Sequence, residues 1–223
     1  VERIVVGSLH TNCYIYFSGK KECYIIDPGG DAEIIIKRLL ALNLAPQIML
    51  FTHGHLDHTA GAQDLRVHYE TQGFFVKTAV HEADAVYFGA KADKVHKKSF
   101  KAFGGEGESL FLDIYRGIPD ADILFAEGDR ILDSDLRVIH TPGHTKGSVC
   151  LYSENHGILF TGDTLFCEGV GRSDLAGGDP RDLENSIRAK LYTLPPATRI
   201  FPGHGPQSSL EREMHYNPYL RIS

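Results

Sequence analysis

The chain has 223 residues, 42% of them hydrophobic and 23% charged, with a formal charge of −6 at pH 7. This is the composition of an ordinary globular protein, long enough to bury a large core without crosslinks. The acidic balance argues against a nucleic-acid partner gripped through phosphates, and no apolar run reaches the ~18 residues that a membrane span requires.

In chain order, Cys13–Phe17 and Cys23–Ile26 read as β-strands joined by a turn over Ser18–Lys21. The second run ends in Asp27-Pro28-Gly29-Gly30, and Asp31 then has the place of an N-cap. The helix it starts is expected to reach about Leu42 and to turn Ile34, Ile35, Arg38 and Leu42 to one side. Pro46 is expected to stop it. Gln47–Phe51 is a short apolar strand that delivers the chain to Thr52 and His53. A second helix is expected from near Thr59, followed by a strand at Phe74–Val76.

The stretch from about His81 to Asp122 reads as a helical and loop insertion, punctuated by GGEGE at 104–108 and by Pro119. Strands are expected at Arg130–Leu132, Leu136–His140, Val149–Tyr152, Ile158–Thr161 and Arg199–Phe201, with helices over Arg181–Leu191 and from Ser208. CYIIDPG and GILFTGD are both apolar strands ending in Asp at a turn, a faint internal duplication. It predicts one domain over 1–223, two β-plus-helix halves packed sheet on sheet, with polar loops gathered at the strand ends.

Those loops hold seven metal-competent residues: His53, His55, Asp57 and His58 in THGHLDH, His144 in TPGHTKGS, Asp163 in FTGDTLF and His204 in FPGHG. Imidazole and carboxylate together are the donor set of a hydrolytic or oxygen-activating metal centre. Packing explains such a cluster poorly, because each buried ring needs its own hydrogen-bond partner. Gly54 permits a tight turn between the first two histidines, and Asp163 has two oxygens with which to bridge two ions. Asp27 is expected to order the ligand loops by hydrogen bonding.

The remaining histidines, His10, His68, His81, His96, His140, His156 and His215, are read as surface or packing residues. Lys91, Lys94, Lys97, Lys98 and Lys101 share a helical face that reads as solvated, or alternatively as an attractor of anionic substrate. Cys13, Cys23, Cys150 and Cys167 show no CxxC spacing and read as free thiols. With an N-terminus that lacks the basic and apolar regions of a signal peptide, they suggest a reducing cytoplasm. Cys167, four residues after Asp163, is the one thiol with a possible redox role.

The HxHxDH, TPGHTxGS, TGDTLF and PGHG segments, in this order and spacing, resemble the metallo-β-lactamase fold superfamily over essentially the whole chain. The resemblance implies an α/β fold, a four-layer αββα sandwich, and two divalent ions, zinc first, with iron or manganese as alternatives. It implies that His53, His55 and His144 bind one ion, that Asp57, His58 and His204 bind the second, and that Asp163 bridges them. Asp57 and Asp163 are the catalytic carboxylates of this scheme.

TGDTLFCEGVGRSDLAGGD resembles the short glyoxalase II-like hydrolases. That resemblance implies hydrolysis of a small-molecule thioester, such as S-lactoylglutathione, by a metal-bound hydroxide, with no nucleic-acid or membrane partner. Arg172 matches the cation that holds glutathione in glyoxalase II, but Asp174 stands where a tyrosine would be. The 19 residues after His204 are too few for that family's helical C-terminal domain, so the reaction type transfers further than the thiol carrier. The alternatives are an iron-dependent persulfide dioxygenase, which would use His53, His144 and Asp163, and a hydrolase of another thioester or ester.

Overall fold

The computed structural model describes residues 1–17 and 21–220, so the turn expected at 18–21 falls almost wholly outside the described residues. The chain divides into two compact units. One comprises Val1–Val80 and Ala85–Leu124, and the other comprises His81–Asp84 and the chain from Phe125 onward.

The first unit is built on a six-stranded sheet whose strands follow sequence order: β1 Glu2–Val6, β2 Thr11–Tyr16, β3 Glu22–Ile26, β4 Ala45–Leu50, β5 Lys77–His81 and β6 Ile123–Phe125. β1, β2 and β3 pair antiparallel, and β3, β4 and β5 pair parallel. The parallel strands are buried almost throughout, as strands covered on both faces must be. β1 escapes the expectations above because its ERIVV run only half alternates.

Helix α1, Ala32–Ala41, buries Ile35 and Leu39 completely, one turn apart. Ile34, expected on the buried side, is 50% exposed. The helix ends five residues before Pro46 by a Schellman closure, Asn43 N–H to Leu40 O and Leu44 N–H to Leu39 O, both 3.0 Å. Asn43 takes the left-handed conformation (φ 54°) that this closure needs, and Pro46 lies within β4. Asp31 precedes the helix as expected but does not cap it, since its carboxylate instead accepts the Gly7 N–H at 2.8 Å.

Where a second helix was expected from near Thr59, a single turn, α2 Leu56–Thr59, is followed by α3, Ala62–Glu70. Phe74 and Phe75, expected in a strand, are 63% and 56% exposed, and the pairing starts only at Lys77. The segment from His81 to Asp122 is indeed helical. Short 3₁₀ turns at Glu82–Tyr87 and Gly89–Lys91 lead into α4, Ala92–Lys101, and α5, Gly104–Ile114, so that GGEGE opens a helix instead of breaking one. The five lysines are all exposed, while His96 on the same helix is 1% exposed. Its ring centroid lies 5.5 Å from that of Tyr87 and 6.2 Å from that of Tyr115, contacts that help fix α4 to the unit.

In the second unit a five-stranded sheet has the order β13-β12-β9-β8-β7, formed by β7 Leu136–His140, β8 Val149–Ser153, β9 Ile158–Gly162, β12 Arg199–Pro202 and β13 Ser208–Ser209. β9 and β12 are parallel, and the other pairs are antiparallel. A small hairpin of β10 Leu165–Phe166 and β11 Gly169–Val170 follows β9. Where a strand was expected at Arg130–Leu132 there is only an isolated bridge from Arg130 to Arg137, and Leu132 takes φ 42°.

Helix α6, Pro180–Ala189, is capped by the Asp179 carboxylate, which accepts the Arg181 and Asp182 N–H groups, and starts with proline at its first position. It buries Leu183 and Ile187 in the core of this unit, about 1.5–3 kcal/mol each. Helix α7, Leu210–Tyr216, closes the described chain. Cys13, Cys23 and Cys150 are buried free thiols, and Cys167 is half-buried. Burial pushes the thiols of Cys23 and Cys150 up to about 12.

Candidate metal centre

Four of the seven donors belong to the first unit. β4 ends at Leu50, and the buried Phe51 and Thr52 carry the chain to His53. His55 is the N-cap of a single helical turn, α2 (Leu56–Thr59), which contains Asp57 and His58. A loop running into one turn of helix lets neighbouring donors point to different sides. The rings of His53 and His58 are 4.2 Å apart, and those of His53 and His55 are 4.8 Å apart. Asp57 Oδ2 is 3.6 Å from His58 Nε2. Gly54 is required by close approach, not by its turn: a Cβ there would lie 2.3 Å from the Tyr87 ring.

Asp27 fixes these rings. It is 1% exposed, takes φ 51°, and accepts the Thr52 N–H at 2.8 Å, the Thr52 hydroxyl at 2.6 Å and His58 Nδ1–H at 3.0 Å. Because the Thr52 hydroxyl spends its proton on Asp27, its oxygen is left to accept from His53 Nδ1, 3.2 Å away. Both imidazoles are thereby held as Nδ1–H tautomers with the lone pair at Nε2, the nitrogen available to a metal.

The other three donors belong to the second unit, each on the loop that leaves a strand. His144 follows β7, Asp163 follows β9 and His204 follows β12. His144 Nδ1 donates to the Arg172 carbonyl at 2.7 Å, which again leaves Nε2 as the nitrogen suited to a metal. His144 Nε2 is 3.7 Å and His204 Nε2 3.6 Å from the same atom, Asp163 Oδ2. These separations are too long for hydrogen bonds. Two donors each ~2.0–2.1 Å from one ion lie about 3.3–3.6 Å apart, so the His204 separation falls at the edge of that range and the His144 separation just beyond it. The same oxygen of Asp163 faces both histidines.

Two glycines and a buried acid hold this loop set. A Cβ on Gly171 would lie 1.7 Å from the Asp163 carbonyl oxygen, and one on Gly143 2.2 Å from the Leu183 nitrogen. Asp84, 1% exposed, accepts the Thr145 hydroxyl at 2.7 Å and the Gly147 N–H at 2.8 Å, which pins the residues just after His144. Sequence reasoning missed Asp84, since nothing in HEADA at 81–85 sets it apart from a surface acid. Arg172 pairs with Asp174 through two bonds, and both side chains are exposed.

Of the histidines read as packing or surface residues, His96 donates from Nε2 to the Tyr87 carbonyl at 3.0 Å, and burial lowers its pKa to about 4. His81 stacks on His140 with ring centroids 4.0 Å apart, and burial lowers the His81 pKa. Neither is among the donors grouped above. None of the helices among the described residues is long and apolar enough to cross a membrane.

Comparison with known proteins finds relatives along the whole chain. GloC, a hydroxyacylglutathione hydrolase of Haemophilus influenzae, is 33% identical over 220 residues, 99% of this chain and 97% of that protein. Among solved structures, the B3 metallo-beta-lactamase BLEG-1 has a TM-score of 0.83 at 33% identity, covering 98% of both chains. TTHA1623, in a di-iron-bound form, has a TM-score of 0.82 at 30% identity, covering 99% of this chain and 100% of that one. The α/β fold is therefore the one these structures share. The description "Metallo-beta-lactamase superfamily" matches residues 6–204, and with whole-length relatives beside it the chain belongs to the metallo-β-lactamase superfamily.

Proposed function

We propose that the protein is a dinuclear metal-dependent hydrolase of thioesters, acting on S-2-hydroxyacylglutathiones such as S-lactoylglutathione. His53, His55 and His144 would hold one divalent ion, Asp57, His58 and His204 would hold the second, and Asp163 would serve both. Zinc is the first candidate, with iron and manganese next; the di-iron form of TTHA1623 keeps iron in view. The observation that carries the reading is the convergence of His144 and His204 on one oxygen of Asp163, at 3.7 and 3.6 Å. The likeness to GloC supports the choice of substrate.

Two such ions, when bound, make water acidic enough to attack at neutral pH and polarise the carbonyl under attack. The rest falls to the chain. Asp27 and the Arg172 carbonyl hold three histidines in their ligating tautomer, so no ring must turn over during the reaction. The Asp57 side chain keeps 19% of its surface exposed and can take the proton of the attacking water. The leaving thiolate is a weak base compared with an alkoxide or amine, and departs without a dedicated general acid. Arg172 is the cation assigned to meet a carboxylate of the thiol carrier, its present partner being Asp174. The free thiols suit a reducing cytoplasm, and the only partner required is the small-molecule substrate.

The test is hydrolysis of S-lactoylglutathione by protein reconstituted separately with zinc, iron and manganese. The expected kcat/KM exceeds about 10⁴ M⁻¹s⁻¹ with at least one metal. No turnover with any of the three would sink the reading.

A further inference from the structure

Arg172 combines a fixed backbone with an engaged side chain. Its carbonyl accepts His144 Nδ1–H at 2.7 Å, and the residue before it, Gly171, has no room for even a methyl group against Asp163. The guanidinium is thus tethered by one side chain's length to the donor loops of the second unit. It lies in a parallel two-bond pair with Asp174, Nε to Oδ1 at 3.0 Å and Nη2 to Oδ2 at 2.9 Å. Arginine takes up the carboxylate of a ligand with this same fork. The side chains are 58% and 69% exposed, so the pair contributes little to holding the fold. The Asp174 carboxylate occupies the seat that a substrate carboxylate would need.

We propose that Asp174 is a specificity-determining residue, an internal carboxylate on Arg172 that an anionic substrate must displace. The inference rests on the thioesterase reading above and names the property of substrate to which that site responds. Exchanging one carboxylate for another leaves the number of ion pairs unchanged, so Arg172 contributes little net affinity while Asp174 is present. The protein therefore discriminates weakly between thioesters whose thiol portion carries carboxylates and those whose thiol portion is neutral. A residue without negative charge at 174 turns Arg172 into an effective carboxylate receptor.

The experiment compares KM for S-lactoylglutathione and for its diethyl ester in the wild type, Asp174→Asn, Arg172→Gln and the double variant. In parallel, binding of S-methylglutathione, a thioether that cannot be hydrolysed, is followed by titration calorimetry against its own diester. Asp174→Asn is expected to raise the preference for free acid over diester by about two- to fivefold, the range an exposed ion pair spans. The double variant is expected to return to the level of Arg172→Gln, because the gain acts only through the guanidinium.

A preference that stays unchanged or falls in Asp174→Asn overturns the proposal, since Asp174 would then be orienting Arg172. A gain that persists in the double variant overturns it too. If no variant turns over either thioester, the hydrolase reading fails while the S-methylglutathione affinities still decide the role of Asp174. In that case, absence of any tighter binding by Asp174→Asn counts against it.

Discussion

Asp27 is where removal of a single carboxylate should cost most. Three donors converge on it, the Thr52 N–H, the Thr52 hydroxyl and His58 Nδ1–H, at 2.8, 2.6 and 3.0 Å, with Asp27 only 1% exposed. Asp27→Ala leaves three buried groups without their acceptor, at about 1–3 kcal/mol apiece. It also places alanine at φ 51°, which adds about 1 kcal/mol. A loss of about 4–10 kcal/mol would take most of the stability of a typical domain.

Asp27→Asn is the sharper probe, because asparagine tolerates the left-handed backbone and retains one acceptor oxygen. Whichever way its amide turns, an NH₂ group faces at least one of the three donors. The expected cost is about 1–3 kcal/mol. The His58 ring should then lose its imposed tautomer and, if the proposed assignment holds, the ion that this assignment gives to His58. Urea denaturation gives the stability, and elemental analysis gives the metal per chain. An Asp27→Asn protein within about 0.5 kcal/mol of wild type and with unchanged metal content would refute the reasoning.

Two further outcomes follow from burial and close contact. Burial lowers the pKa of His96 to about 4, below the ~6.5 of an unfolded chain, so the unfolded state takes up the proton first. The stability conferred by the neutral ring is complete above pH ~6.5 and is lost as pH falls from there to about 4, roughly 3 kcal/mol in all. Stability measured across that window should fall less steeply in His96→Gln, by about one proton's worth; parallel curves would contradict it. Gly171→Ala should destabilise by about 1–3 kcal/mol or more through collision with the Asp163 carbonyl, whereas Gly105→Ala, with nothing within 4 Å, should stabilise α5 by about 0.5–1 kcal/mol. Equal melting shifts for the two alanine variants would show that the contact at Gly171 is not the constraint.

The donor loops were legible because each histidine or aspartate follows an apolar run that ends at a turn, and those runs are strands β4, β7, β9 and β12. What holds the donors was less visible. Asp27 could be suspected from its turn, but its three bonds depend on the parallel register of β3 with β4, which no local pattern states. Asp84 was hidden for the same reason, since its partners lie 61 and 63 residues away. Phe74 and Phe75 misled by their β-propensity. They stay outside the strand, and Phe75 packs under the Arg66 guanidinium at 4.4 Å. The exit from α1 was misassigned to Pro46 because the earlier stop, at Asn43, depends on a left-handed backbone that asparagine only permits.

The glycines at the start of α5 bear on more than a missed helix. Gly107 is demanded by packing, because a Cβ there would lie 2.2 Å from the Phe100 carbonyl oxygen at the end of α4. Gly104 and Gly105 meet nothing within 4 Å, so they bring the entropy of glycine without a packing return. The tip of the α4–α5 hairpin is thus expected to open locally at less cost than the packed sheet. Variation in length or sequence there would be absorbed locally, giving this family member a place to diverge without disturbing the residues that carry its chemistry.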